Sequence, residues 1–257
     1  GETTANNIAK WNGNAWSPLG SGTDNEVFAL AVSDTNLYAG GNFLTAGDTN
    51  ANYIAKWDGS TWTALEADLD APIHGLVANG TALCAGGSFS HLGGVAANYI
   101  ATWNGSTWSA LGPGLIGLSG GEVKALAVSG TNLYAGGYFN YAGGSQVYYI
   151  AKWDGNTWAG LGAGMSGPVS ALAVSGTNLY AGGTFIAAGE VIVNRIAKWD
   201  GSMWTALGSG VGGDGLPEVN ALVVSGTNLF AGGSFNTAGG TTANRIAKWD
   251  GNTWVAL

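Results

Sequence analysis

A hexapeptide of the form Trp-Asp/Asn-Gly-x-x-Trp recurs six times along the chain at nearly constant spacing. Successive copies are 46 or 50 residues apart, and their first tryptophans are Trp11, Trp57, Trp103, Trp153, Trp199 and Trp249. A second unit, close to Ala-Leu-Ala-Val-Ser-Gly-Thr-Asn-Leu-Tyr-Ala-Gly-Gly, lies between them and ends in Gly40-Gly41, Gly86-Gly87, Gly136-Gly137, Gly182-Gly183 and Gly232-Gly233. A period of this length is typical of repeat proteins, in which one structural unit stacks on copies of itself.

Each period predicts four short β-strands. Runs of β-branched and aromatic residues are separated by turn residues, and no segment keeps a helical period. In the third repeat the strands, lettered A to D, cover approximately residues 123–129, 133–139, 149–153 and 158–161. The C–D link contains Asp-Gly or Asn-Gly in all six copies, which favours a tight hairpin turn. Four antiparallel strands per period predict an all-β fold made of β-propeller blades.

The strand pairs do not divide evenly, because the chain holds five A–B pairs and six C–D pairs. Residues 1–20 supply a surplus C–D hairpin with no A–B pair before it. We therefore predict one propeller domain with five complete blades, over residues 27–66, 73–111, 122–161, 168–207 and 218–257. An incomplete six-bladed ring and a piece cut from a longer array are the alternatives. An unpaired hairpin exposes strand edges, so residues 1–20 are the candidate site of self-association.

Composition limits the classes of partner. The chain has 8 Lys and Arg against 16 Asp and Glu, and the net charge of −8 repels nucleic acid and anionic membrane surfaces. No apolar run approaches the roughly 20 residues of a membrane-spanning helix. Cys84 is the single cysteine, so it forms no disulfide within the chain, and we expect it to be buried.

The repeat resembles known propeller families. Gly-Gly at the end of strand B, an aromatic residue about a dozen positions on and a Trp in strand D resemble the kelch repeat of the galactose oxidase central domain. The run Ile-Ala-Lys-Trp-Asp-Gly-x-x-Trp is more similar still to the glycine-rich propeller repeats of secreted bacterial proteins. This resemblance covers nearly the whole chain and implies an extracellular or cell-surface propeller. It carries no implication for activity, since one fold hosts many functions.

The residue inventory argues against the enzymes built on this fold. The C–D turn resembles the Asp box of sialidases but lacks the residue between Asp and Gly, and Arg195 and Arg245 are too few for the sialidase arginine triad. A galactose oxidase copper site needs more than His74 and His91 can supply. The acidic residues of the variable loops are scattered rather than paired for hydrolysis. We expect no enzyme, no cofactor and no tightly bound metal; the one weak Ca²⁺ candidate is the cluster Glu66, Asp68 and Asp70.

The variable connections are the predicted binding face. The D–A and B–C connections differ between repeats, whereas the A–B and C–D turns, on the opposite face of a propeller, hardly change. Repeat proteins place binding sites in such variable loops. The candidate ligand contacts are the residues that break the repeat there: Asn42, His91, Asn140, Tyr141, Tyr148, Arg195, Asn236 and Arg245. Aromatic rings beside amides and hydroxyls fit a neutral glycan. The alternative is a structural or assembly module, such as a spacer, adhesin part or filament subunit, that binds another protein surface.

The tryptophans and the turn aspartates are interpreted as scaffold. Both tryptophans of a C–D hairpin fall on one side of the sheet in every repeat, as expected of side chains that fill the space between blades. The aspartates before glycine are assigned to a left-handed turn position, and they are Asp58, Asp154, Asp200 and Asp250.

Overall fold

The computed structural model describes residues 4–65, 68–117 and 120–257. Every secondary-structure element of the described residues is a β-strand, which confirms the all-β prediction. Within these ranges no helix is long and apolar enough to cross a membrane. The chain divides into two compact units, Gly1–Gly114 and Leu115–Leu257.

The first unit contains short strands that follow the predicted A-to-D order. In chain order they are β1 (Ala9–Trp11), β2 (Trp16–Pro18), β3 (Val27–Ser33), β4 (Asn36–Gly41), β5 (Thr45–Ala46), β6 (Thr49–Asn50), β7 (Ile54–Trp57), β8 (Trp62–Ala64), β9 (Ile73–Asn79), β10 (Ala82–Gly87), β11 (His91–Leu92), β12 (Val95–Ala96), β13 (Ile100–Trp103) and β14 (Trp108–Ala110). Two antiparallel four-stranded sheets result, β3-β4-β7-β8 and β9-β10-β13-β14. The remaining strands form the surplus hairpin β1-β2 and the ribbons β5-β6 and β11-β12.

The second unit repeats this plan. Its strands are β15 (Leu115–Ile116), β16 (Glu122–Ser129), β17 (Asn132–Tyr138), β18 (Tyr141–Ala142), β19 (Ser145–Gln146), β20 (Ile150–Trp153), β21 (Trp158–Gly160), β22 (Val169–Ser175), β23 (Asn178–Gly183), β24 (Ala187–Ala188), β25 (Val191–Ile192), β26 (Ile196–Trp199), β27 (Trp204–Ala206), β28 (Val211–Gly212), β29 (Val219–Ser225), β30 (Asn228–Gly233), β31 (Thr237–Ala238), β32 (Thr241–Thr242), β33 (Ile246–Trp249) and β34 (Trp254–Ala256). The four-stranded sheets are β16-β17-β20-β21, β22-β23-β26-β27 and β29-β30-β33-β34. Smaller sheets are β15-β18-β19, β28-β31-β32 and the ribbon β24-β25.

The B–C connections fold further than the sequence predicted. Each holds two strands of two residues, such as β5-β6, and this ribbon packs beside the edge strand β8 of its own sheet. Strands this short carry no alternating pattern, so the sequence predicted loops there. The ribbon brings B–C residues next to strand D.

The Gly-Gly pair at the end of strand B is required by the backbone and by packing. In the first sheet the register shifts between Val27 and Ala29, opposite this pair. A Cβ on Gly41 would overlap the carbonyl oxygen of Glu26, and a Cβ on Gly40 would lie 2.6 Å from Cγ2 of Ile73 in the next sheet. The Gly-Gly pair therefore lies opposite a β-bulge and leaves room for the neighbouring sheet to pack closely.

The largest fully buried side chains include Phe43 and Phe89 in the first unit and Phe139 and Phe185 in the second. Cys84 is buried, as predicted, and burial raises the pKa of its thiol.

The two tryptophans of each hairpin, interpreted as filling the space between blades, differ in how deeply they are buried. The second tryptophan is buried at Trp62, Trp108, Trp158, Trp204 and Trp254. The first is only half-buried at Trp57, Trp103, Trp153, Trp199 and Trp249. In the surplus hairpin both rings are exposed, Trp11 by 49% and Trp16 by 54%.

Candidate functional site

An open groove of about 310 Å³ lies at the edge strand of the first four-stranded sheet. Trp57 and Trp62 form its apolar part. Three connections supply the rest: Gly20 and Ser21 from D–A, Gly47, Asp48 and Thr49 from the tip of ribbon β5-β6, and Ser60 and Thr61 from the C–D turn. We call it the first-repeat groove. The D–A and B–C connections, predicted to form the binding face, therefore line this groove together with a C–D turn, which was expected on the opposite face.

The second unit contains an equivalent groove of about 310 Å³, the fourth-repeat groove. Trp199 and Trp204 take the places of the two tryptophans. The remaining lining residues are Gly162, Ala163, Ala188, Glu190, Val191, Ser202 and Met203. The same design therefore recurs in two repeats, with a more apolar lining in the fourth.

The two tryptophans of each groove have different partners. Trp62 donates its indole N–H to the carbonyl oxygen of Leu19 at 2.8 Å, and Trp204 donates to Leu161 at 2.9 Å. These bonds tie strand D of one repeat to the repeat before it. The half-buried ring of Trp57 lies 5.3 Å from that of Trp62 at 52°, and Trp199 lies 5.2 Å from Trp204 at 51°. The second tryptophan therefore anchors the hairpin, and the first keeps part of its ring in the groove.

A glycine keeps the ring of the first tryptophan accessible. Gly20 has φ +58°, and a Cβ on it would lie 3.2 Å from Cζ3 of Trp57. Gly162 has φ +59°, and a Cβ there would lie 3.4 Å from Cζ3 of Trp199. Both the left-handed backbone and the close indole favour glycine, so no side chain covers the aromatic surface from this position.

The C–D turn fixes the hydroxyl groups of the groove. Asp58 Oδ1 accepts from the backbone N–H of Ser60 and Thr61, both at 2.8 Å. The hydroxyls of the same two residues donate to this carboxylate at 2.9 and 3.1 Å. Since their protons point to Asp58, these hydroxyl oxygens offer lone pairs to a ligand.

These hydrogen bonds set the acidity of the turn and correct its predicted geometry. The backbone N–H groups of Thr61 and Ser60 hold the pKa of Asp58 far below its usual range, and those of Met203 and Ser202 lower the pKa of Asp200 to about 2. The left-handed φ of the first-repeat turn belongs to Gly59, at +106°, and not to Asp58 as predicted. Asp58 accepts hydrogen bonds from the backbone of the turn, so its role is still to stabilise the turn.

A carboxylate at the ribbon tip distinguishes these two grooves from the other repeats. Asp48 and Glu190 are exposed lining residues at equivalent positions. The same position is glycine in the other three repeats, at Gly94, Gly144 and Gly240, with φ between 75° and 85°. This difference is readable by aligning the repeats, and the sequence reasoning missed it by treating the acids as scattered.

Two of the predicted contacts, Asn236 and Arg245, come together in a cavity of about 350 Å³ in the last repeat. Asp214 and Asn244 line it too, and Asn236 Nδ2 is 3.5 Å from Asp214 Oδ2. Elsewhere the residues equivalent to Asn244 have a structural role, because Asn98 and Asn194 each donate to a backbone carbonyl 15 residues on, at 2.9 and 2.7 Å. One lining residue of this cavity, Asn244, therefore stands at a position that has a structural role in other repeats.

The other predicted contacts lie in several repeats. Asn140, Tyr141 and Tyr148 lie together on the β18-β19 connection, where Gln146 donates to the Tyr148 hydroxyl at 2.9 Å. Asn42 is half-buried, and its N–H donates to the Glu26 carbonyl.

Arg195 and Arg245 stand at a position where the backbone is left-handed, with φ of 63° and 69°. Tyr53, Tyr99 and Tyr149 share this conformation. At each of the five residues the backbone N–H donates to a buried phenylalanine carbonyl, as Arg195 does to Phe185 at 3.0 Å. The position has a structural role whatever its side chain binds.

Of the three Ca²⁺ candidates, Asp68 and Asp70 lie within the described residues. Asp70 accepts hydrogen bonds from the backbone N–H groups of Ser90 and His91, so its carboxylate connects the D–A connection to the following ribbon. His91 is itself one of the predicted ligand contacts. Asp68 is exposed, and Glu66 lies outside the described residues. Over residues 4–65, 68–117 and 120–257, no three His, Cys, Asp or Glu side chains group together as metal ligands.

Comparisons with known proteins bear on the fold. No protein-family model matches the chain, and no curated protein matches it. It is similar to the extracellular domain of BT4673, a candidate one-component system of B. thetaiotaomicron, with TM-score 0.62 and 12% identity over 97% of this chain. It is also similar to YCF48 bound to a D1 peptide, with TM-score 0.54 and 16% identity over 91% of this chain and 69% of that one. The chain spans 30% of the BT4673 domain.

The four-stranded sheets and these propeller-like neighbours define the class as a β-propeller. The finer resemblance to kelch repeats, the blade boundaries and the number of blades in a ring stay predictions.

Proposed function

We propose that this β-propeller binds neutral carbohydrate in the first-repeat and fourth-repeat grooves, outside the cell and without catalysing a reaction. The observation that carries the proposal is the carboxylate, Asp48 or Glu190, beside a tryptophan pair at one repeated position. Three other repeats keep the tryptophans but have glycine there.

The chemistry of the grooves supports this ligand class. A half-buried indole offers an apolar plane for the C–H face of a sugar ring. The polar groups around it, the Asp48 carboxylate and the oxygens of Ser60 and Thr61, are placed to accept hydrogen bonds. A ligand that suits them is rich in donors and has an apolar face, as a neutral sugar is.

The extracellular part of the proposal draws on the neighbours. The similar BT4673 structures are both of the extracellular domain of that B. thetaiotaomicron protein, described as a one-component system in one case and a hybrid two-component system in the other. Their identity of 12% carries the fold alone, so location is proposed here together with the ligand class.

The experiment is a screen of the whole chain against neutral oligosaccharides, followed by calorimetric titration of the best ligand. Asp48→Ala and Glu190→Ala together should abolish binding with little change in melting temperature, because both side chains are exposed. Asp214→Ala is the matched control, since it removes an acid from the other polar cavity. Loss of binding in the control alone would assign the ligand to that cavity. Unchanged binding in the double variant would refute the proposal.

A further inference from the structure

A cavity of about 340 Å³ in the second unit is lined by two neighbouring sheets, β16-β17-β20-β21 and β22-β23-β26-β27. Ser129 and Asn132, on either side of one A–B turn, and Thr177, in the next A–B turn, form part of its wall. Ser129 donates its hydroxyl to the Gly176 carbonyl at 3.2 Å, which holds the two turns together. We call this space the A–B cavity.

Lys152 brings a positive charge to the A–B cavity. Among the described residues its ammonium group has no ion-pair partner, and none of those that line the cavity is acidic. The carboxylates of Asp154 and Asp200, in the neighbouring C–D turns, accept backbone N–H groups of their own turns. No described lining residue therefore balances the charge of Lys152, so an anion fits beside it.

The hydroxyl of Tyr134 is a hydrogen-bond donor in the same cavity, directly across the sheet from Lys152. The side chain is only 7% exposed, and burial raises the pKa of its phenol, so the hydroxyl keeps its proton at neutral pH. It makes no hydrogen bond to another described residue. Since no polar side-chain atom of the described residues is both fully buried and without a hydrogen bond, this hydroxyl must be open to the cavity.

The half-buried ring of Trp199 adds an aromatic surface to these polar groups. We infer that the A–B cavity binds a small organic carboxylate, whose anionic group accepts hydrogen bonds from Lys152 and Tyr134 and whose planar body lies against Trp199. The volume leaves room for such a body. A single lysine balances a monoanion but leaves a phosphate dianion only half neutralised. The inference does not depend on carbohydrate binding, although Trp199 also lines the fourth-repeat groove.

Other repeats supply substitutions that the fold already accepts. The position of Tyr134 is Phe230 in the last repeat, and that of Lys152 is Thr102 in the second. Tyr134→Phe and Lys152→Thr should therefore fold. Lys248 lies opposite Phe230, so Lys248→Thr is the matched control, because it removes the same charge from a repeat that lacks the phenol hydroxyl.

The probe is benzoate, titrated into the whole nitrogen-labelled chain and followed by NMR. The Trp199 indole N–H signal, assigned by its loss in Trp199→Phe, should shift and saturate with a dissociation constant on the order of 1 mM. Benzamide has the same ring without the charge and should bind roughly tenfold more weakly. Lys152→Thr should weaken benzoate binding by roughly tenfold or more, and Tyr134→Phe by roughly threefold. Lys248→Thr should leave it unchanged.

Four results would overturn the inference. Benzoate that does not saturate the chain below about 20 mM, or binds no better than benzamide, would show that the cavity selects no carboxylate. Tighter binding of inorganic phosphate would give the site to another class of anion. An equal loss in Lys248→Thr and Lys152→Thr would reduce the binding to overall charge. Loss of benzoate binding in Glu190→Ala would place the probe in the fourth-repeat groove instead.

Discussion

At the scale of single residues, the two tryptophans of one hairpin separate stability from binding. Trp204 is 3% exposed and hydrogen-bonded, so Trp204→Ala should lower the free energy of unfolding by about 3–5 kcal/mol, the range for a buried aromatic. Trp199 is half-buried, so Trp199→Ala should cost less stability and abolish carbohydrate binding in the fourth-repeat groove.

Urea unfolding and titration of both variants, in a chain that also carries Asp48→Ala, measure the two effects without the first-repeat groove. Equal losses of stability would show that both tryptophans belong to the core. The sequence could not predict which tryptophan of the pair is buried, because both are the same residue type and lie on the same face of the sheet. What separates them is the carbonyl of Leu161, 43 residues away from Trp204.

At the scale of elements, the aspartates of the C–D turns make the stability of the folded state depend on pH. The pKa of Asp200 is about 2 in the folded protein and about 4 in an unfolded chain. The folded state thus favours the carboxylate, and its stabilisation is fully present above about pH 4 and is lost as the pH falls towards about 2. The pKa values of Asp58, Asp154 and Asp250 are lowered by the equivalent backbone N–H donors of their own turns, so their effects share this direction.

Replacing all four aspartates by asparagine should keep the turn and flatten the fall in melting temperature between about pH 4 and pH 2. Asparagine makes the same bonds in natural copies of the turn, since Asn104 Oδ1 accepts from the N–H of Ser106 and Thr107 at 2.9 Å. Melting curves over this range decide the matter. Parallel curves for parent and variant would contradict the prediction.

The elements also show what the sequence could and could not predict. Strands A to D and the hairpin turns were predictable because each is specified by residues close in sequence. The ribbons were not, since two-residue strands have no periodicity. The grooves were missed for another reason. They form only where a ribbon tip, a D–A connection and a C–D turn meet, and Asp48 is 12 and 13 residues before Ser60 and Thr61, which supply the turn hydroxyls. Asn236 and Arg245, both predicted as ligand contacts, do line one cavity, but Asn244 beside them stands at a position that has a structural role in other repeats.

At the scale of the whole molecule, the net charge of −8 provides a test of the proposed ligand class. A negative protein with acceptor-lined grooves would also attract a cationic ligand, and an indole face can bind a cation. Salt separates the two cases, because it screens charge–charge attraction but leaves stacking and neutral hydrogen bonds largely unchanged. Between about 50 and 500 mM NaCl, the affinity for a neutral glycan should change by less than roughly twofold. A loss of about tenfold over this range would show that the grooves select positive charge, and would reassign their ligand.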